Sequence, residues 1–272
     1  MTVVEFRVLG ELDVVEDGAQ IQLGGVTRRA VLGYLLLHNN QVVPASQLRE
    51  ALWSGDYPPT ARKIVQNAVS GIRRVLAEHE RPAQTTLLTQ PPGYLLRVDP
   101  DAVDLMLFRR LVRIAADELA SGAAEHARVR FRQALGLWRG RPLADLAENG
   151  ILWSELTAIE DERLNAYENC FDAELASGRH REITPELEIL TVAVPTRETF
   201  CKQYMLALYR SGRQADALKA FQRTRGALVE HLGIEPGLEL QRLYQMILRQ
   251  DPGLEFLSPS QPSGPWRHIA AG

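Results

Sequence analysis

The sequence predicts two architectures in one chain: an α+β winged helix-turn-helix over residues 1–98, then an all-α, TPR-like helical array over 99–250. Three observations carry this. Strand-type alternation bounds the first segment at both ends, while helical periodicity fills its middle. The second segment holds long amphipathic helices and few strand signals. Within it, Ser177-Gly178 recurs as Ser211-Gly212, a spacing of 34 residues, which is the period of a tetratricopeptide helix pair.

Phe6, Val8, Gly10, Leu12 and Val14 alternate with polar positions and predict a half-buried strand. Asp17-Gly18 interrupts the run before Ile21 and Leu23 resume it, a strong short-range hairpin signal. A helix follows over 27–37, with Ala30, Val31, Tyr34, Leu35 and Leu37 at helical spacing. Ser46 is placed to cap a short second helix that buries Leu48, Leu52 and Trp53. Pro58-Pro59 turns the chain into a third helix, about 60–77. Leu87-Leu88, the Gln90–Gly93 tip and the stretch 94–98 form a closing hairpin. Helices are expected at 104–120, 123–138, 152–176, 181–194, 197–210, 214–232 and 237–249. Ser121-Gly122 ends the first of these, and the Pro-rich stretch 251–272 reads as a flexible tail.

Composition excludes several function classes. The chain has 272 residues, 45% apolar and 24% charged, an ordinary globular balance. No window reaches the ~18 apolar residues of a membrane span, and the N-terminus lacks the pattern of a signal peptide. Cys170 and Cys201 are too few for a disulfide framework and fit no metal spacing. These features read as a soluble, cytoplasmic protein. No Gly-x-x-x-x-Gly-Lys run and no catalytic or metal-type constellation occurs in the sequence. No enzyme activity, cofactor or metal is therefore expected. Only three of the 31 basic residues are lysines, and Arg is the side chain that binds phosphate and guanine bidentately.

The third helix carries the most information. At 100° per residue, Arg62, Lys63, Gln66, Asn67, Ser70, Arg73 and Arg74 fall within one arc of about 140°. Ile64, Val65, Ala68, Val69, Ile72, Val75 and Leu76 fill the complementary arc. Segment 60–76 has four cations and no acid, whereas residues 1–98 as a whole balance ten basic against nine acidic groups. Such a stripe is either a solvated face or a base-reading one, since Arg suits guanine edges and Gln or Asn suits adenine. Its place after two short helices and a turn, and before a hairpin, favours a recognition helix.

Taken together, Leu9-Gly10, Asp17-Gly18, Leu23-Gly24-Gly25, Arg28-Arg29-Ala30-Val31-Leu32, Leu52-Trp53, Pro58-Pro59, Val65-Gln66-Asn67, Val69–Leu76 and Gly93-Tyr94 resemble the SARP family, the Streptomyces antibiotic regulatory proteins. The resemblance spans about 1–98 with an OmpR-like winged-helix domain and about 99–250 with a bacterial transcriptional activation domain. It implies a transcriptional activator that binds direct repeats near promoters as a head-to-tail homodimer. It further implies recruitment of RNA polymerase and its sigma factor at a secondary-metabolite cluster. By position, Arg62, Lys63, Gln66, Asn67, Ser70, Arg73 and Arg74 would face the major groove. Arg28 and Arg29 would touch backbone phosphate, and Gln90 and Tyr94 would flank the wing. The chain departs from the usual pattern at Asn67 and Gly71, and a mid-helix Gly costs about 1 kcal/mol against Ala. The competing expectation is a protein-interaction adaptor whose winged helix contacts protein instead of DNA.

Overall fold

The computed structural model describes residues 4–53, 55–79 and 85–255. The chain divides into two compact units, Met1–Asp117 with Val129–Tyr167, and Glu118–Arg128 with Glu168–Gly272. Sequence composition changes near residue 98, but compactness does not divide the chain there.

The first unit opens with an antiparallel sheet of β1 (Val4–Arg7), β2 (Asp13–Glu16) and β3 (Ala19–Gln20), in that order. The alternation over 6–14 predicts one strand. Instead Phe6 pairs with Val14, so residues 8–12 connect two strands. Val8, Leu9 and Leu12 are nevertheless fully buried. The alternation places Val8 and Leu12 inside but misses the buried Leu9 and Val15, and it cannot report where the chain reverses. Asp17 and Gly18 both take positive φ (47° and 85°) at the next reversal, as the Asp-Gly signal requires.

The backbone of 8–12 is satisfied from far along the chain. Asp104 Oδ1 accepts from Val8 N at 2.8 Å and its Oδ2 from Leu9 N at 3.0 Å. Asp145 Oδ1 accepts from Leu12 N at 2.8 Å. In the other direction, Arg139 N donates to Leu9 O (2.8 Å) and Leu143 N to Val8 O (3.1 Å). Buried backbone groups need such partners, so the N-terminal sheet is completed by residues of the later helical segment. Leu143 holds a left-handed φ of 51° while fully buried, a conformation unfavourable for Leu that its surroundings must over-determine.

α1 (Val26–Leu37) buries seven consecutive residues from Ala30 to Leu36. A second antiparallel sheet, ordered β4-β6-β5, comprises β4 (Val42–Pro44), β5 (Thr86–Gln90) and β6 (Gly93–Arg97). A Cβ on Gly93 would stand 1.9 Å from Val43 O, so only glycine admits this approach of β6 to β4. α2 (Ala45–Trp53) starts directly after β4, and Ala45 N donates to Pro92 O at 3.2 Å. Ser46 thus lies inside the first turn and is not its cap. Leu48 is fully buried, whereas Leu52 and Trp53 are only half-buried. α3 (Ala61–His79) has a strongly amphipathic sequence and packs on α1 and α2.

All seven expected later helices appear within a few residues of their predicted ends, among them α4 (Asp104–Ala120), α5 (Ala124–Leu135), α8 (His180–Ala193), α9 (Glu198–Arg210), α10 (Gln214–Leu232) and α11 (Leu238–Leu248). The expected 152–176 helix is α7 (Ser154–Ala176), and a short helix α6 (Ala144–Glu148) precedes it unforeseen. Trp153, within the expected 152–176 helix, is bonded from Nε1 to Ala51 O of α2 at 2.9 Å, and its ring meets Tyr34 of α1 edge-on at 4.9 Å.

In the second unit, α8 packs on α9 and α9 on α10. The recurring Ser-Gly is a helix terminator with one geometry. Gly178 and Gly212 take φ of 75° and 78°, Ser177 and Ser211 Oγ donate to Ala173 and Ala207 O, and Arg179 N and Arg213 N bond back to Glu174 and Leu208 O at 2.9 Å. Those five-residue back-bonds are Schellman closures. Ser121-Gly122 repeats the arrangement, with Ala123 N bonded to Glu118 O. Cys170 and Cys201 are buried, and burial pushes the Cys201 thiol up to about 11. Of the expected 251–272 tail, Pro252–Leu254 form a 3-10 turn whose Leu254 is buried and whose carbonyl accepts from Arg210 Nε at 3.0 Å. The part from 256 on lies outside the described residues.

Candidate nucleic-acid interface

α3 separates its two faces as its sequence periodicity predicts. Val65, Ala68, Val69, Ile72, Val75 and Leu76 are buried, while Arg62, Lys63, Gln66, Asn67, Ser70 and Arg74 are exposed. Among the described residues none of these six has a hydrogen-bond or ion-pair partner. Three cations, two amides and a hydroxyl thus stand on one open helix face, free to take external acceptors and donors.

Arg73 behaves differently from its neighbour. Its Nε donates to Leu87 O at 2.8 Å and its Nη2 to Thr89 Oγ1 at 2.7 Å, so the half-buried guanidinium ties α3 to β5. The wing is therefore held by a residue of α3 itself. At the end of β5, Gln90 is exposed at the tip. Tyr94 is buried and faces Thr89 and Val43 across the sheet, so it packs inside the wing one pair from its tip.

The two arginines at the start of α1 point inward. Arg29 Nε donates to Asp145 Oδ2 at 2.8 Å, its Nη2 lies 2.7 Å from the same oxygen, and Nη2 also donates to Leu12 O at 2.7 Å. Its Nε and Nη2 are thereby engaged inside the first unit. Arg28 Nη1 donates to Leu23 O at 2.6 Å, while its buried Nε has no acceptor. The structure brings neither residue onto the exposed stripe.

A groove of about 580 Å³ lies between α2, the start of α3 and the wing, lined by Arg49, Arg62, Gln66, Thr89 and Tyr94 among others. Arg49 was not anticipated. Its guanidinium stands 5.1 Å from the Tyr57 ring centroid, and its side chain borders the same groove as Arg62. The available signal was that Arg49 is the one cation of α2, one turn after the helix start. Around this groove the positive end of the α2 dipole and two guanidiniums act in one direction, favouring an anion.

Among the described residues no cluster of His, Cys, Asp or Glu could hold a metal, and no helix is long and apolar enough to cross a membrane.

Comparison with known proteins accords with this geometry. The family described as Transcriptional regulatory protein, C terminal, matches residues 19–96, and that described as Bacterial transcriptional activator domain matches 103–248. The chain is 36% identical over 265 residues to the regulatory protein DnrI of Streptomyces peucetius, covering 96% of this chain and 97% of DnrI. It is 35% identical over 266 residues to the regulatory protein AfsR of Streptomyces griseus, covering 96% of this chain but 26% of AfsR. A solved structure of Mycobacterium tuberculosis EmbR in complex with a low-affinity phosphopeptide superposes with a TM-score of 0.87 at 33% identity, over 95% of this chain and 67% of that one.

Proposed function

The chain belongs to the SARP family of transcriptional regulators, and from that premise we propose that it activates transcription by reading direct repeats near a promoter with α3. The observation that carries this reading is the unpartnered stripe Arg62, Lys63, Gln66, Asn67, Ser70 and Arg74. Gln66 and Asn67 offer the paired donor and acceptor that adenine presents a complement to, and Arg74 the fork that suits guanine. Arg62, with Arg49 across the groove, takes backbone phosphate, and Lys63 does the same as a point charge. Gln90 reaches the duplex from the wing tip. Two copies lie head to tail on one DNA face, and the helical segment contacts RNA polymerase and its sigma factor. The protein acts in the cytoplasm, at the nucleoid, on a secondary-metabolite gene cluster.

Electrophoretic shifts on the promoter beside its own gene, against unrelated competitor DNA and across a salt series, test the reading. Specific retardation that weakens with salt, by a slope of about −0.9 per phosphate contacted, is expected. Inserting half a helical turn between repeats about 10–11 bp apart should abolish paired binding. No shift with folded protein would instead favour an adaptor that contacts only protein.

A further inference from the structure

Gly71 sits in the middle of α3, where glycine is a poor helix former, and its surroundings explain it. A Cβ on Gly71 would lie 2.5 Å from Arg28 Nε, 2.6 Å from its Cζ and 2.7 Å from its Nη2. The guanidinium of α1 therefore rests directly on the backbone of α3, in a gap that any side chain would close. Arg28 is held there by one bond, Nη1 to Leu23 O at 2.6 Å, and by packing, since its buried Nε finds no acceptor. A buried N–H without an acceptor is costly and calls for an explanation. Position supplies one. Gly71 follows Asn67 by four residues and precedes Arg74 by three, so on a helix it adjoins both exposed residues.

We propose that Arg28 is a positioning residue for DNA readout: seated in the gap left by Gly71, it sets the rotation and depth of α3, and with them base discrimination, without touching DNA. This rests on α3 being the reading helix. A planar guanidinium fits a slot against a helix backbone, whereas the tetrahedral ammonium of Lys on a thinner stem does not fill it. A phosphate contact, by contrast, would tolerate Lys. A methyl group at Gly71 would force the guanidinium to shift, so the two residues act as a coupled pair.

The experiment compares the full chain with Arg28→Ala, Arg28→Lys, Gly71→Ala and the Arg28→Ala/Gly71→Ala double variant. Melting temperature and affinity for promoter and unrelated duplexes are read across salt. Arg28→Lys and Arg28→Ala are each expected to lose about tenfold of the specific-to-nonspecific ratio, the worth of one base contact, with the salt slope unchanged. Gly71→Ala should lose a similar factor, and the double variant no more than Arg28→Ala alone. The change in Tm caused by Gly71→Ala should be more favourable in the Arg28→Ala background, where no guanidinium remains to be shifted. Full discrimination in Arg28→Lys, a salt slope shallower by about 0.9 in Arg28→Ala, or equal Tm changes in both backgrounds would each overturn the proposal. Failure of the wild type to bind DNA specifically would sink the functional reading instead. The Tm comparison needs no DNA and still decides whether the contact couples the two residues.

Discussion

The start of α1 and the outer face of α3 are built from the same side chains and put to opposite uses. Arg28 and Arg29 spend their hydrogen bonds inside the first unit, on Leu23 O, Leu12 O and Asp145. Arg62 and Arg74 stand exposed with no internal partner among the described residues. Arg73 belongs with the first group although it lies beside Arg74, because it reaches the strand β5. Between α1 and α3, a cation faces inward where the fold offers it a carboxylate or carbonyl and stands exposed where it offers none. Arg29 on Asp145, together with Asp104 and Arg139 on residues 8–13, shows that the N-terminal sheet and α1 are completed by residues beyond 98.

The largest expected effect tests that completion. A fragment ending at Val98 loses the partners of Val8, Leu9 and Leu12 and the buried Leu143 and Leu146, which lie against Gly33 of α1. Burial of these two leucines alone is worth about 3 kcal/mol or more, so the fragment should melt far below the full chain, or not fold. A fragment as stable as the full chain would show the helical segment to be dispensable to the reading module.

Next in size is Arg29→Ala. It strands Asp145 in a largely buried pair whose side chains are 23% and 17% exposed, and should cost about 2–4 kcal/mol of stability in denaturant unfolding. The salt slope of DNA binding should stay where it was, and a shallower slope would return Arg29 to the interface. On the outer face the pattern reverses. Arg74→Ala or Gln66→Ala should weaken specific binding by about 1–3 kcal/mol with little change in Tm. Arg73→Ala should lower both, since it frees the wing as well. Equal Tm losses for Arg73→Ala and Arg74→Ala would erase the distinction between them.

The smallest effect concerns Asp104. Burial raises its pKa from the ordinary 3.8, against the lowering influence of Val8 N, Leu9 N and Arg139. Because the folded state holds this proton more tightly than the unfolded one, the contribution to stability is complete below pH 3.8 and fades as pH rises through the raised value. The Tm of the wild type minus that of Asp104→Asn should therefore shrink with rising pH over that window. A difference that grows with pH would mean that its hydrogen bonds and Arg139 outweigh burial.

Much of this molecule was legible in local pattern. The ends of α4, α9, α10 and α11 follow from amphipathic spacing and from Ser-Gly terminators, because helix formation and capping depend on residues within one or two turns. The division of α3 into a buried and an exposed face follows from its 3.6-residue period in the same way. Tertiary structure decided the rest. The reversal of the first strand within 8–12 depends on Asp104 and Asp145. Trp153 belongs with α1 and α2 because its indole finds Ala51 O there. Of the arginines expected at DNA, Arg28, Arg29 and Arg73 turn elsewhere because their acceptors, at Leu23, Asp145 and Leu87, are brought near only by folding. Periodicity tells which side of an element is polar, but a long flexible cation takes the nearest desolvated acceptor, and that acceptor's place is a property of the packed chain.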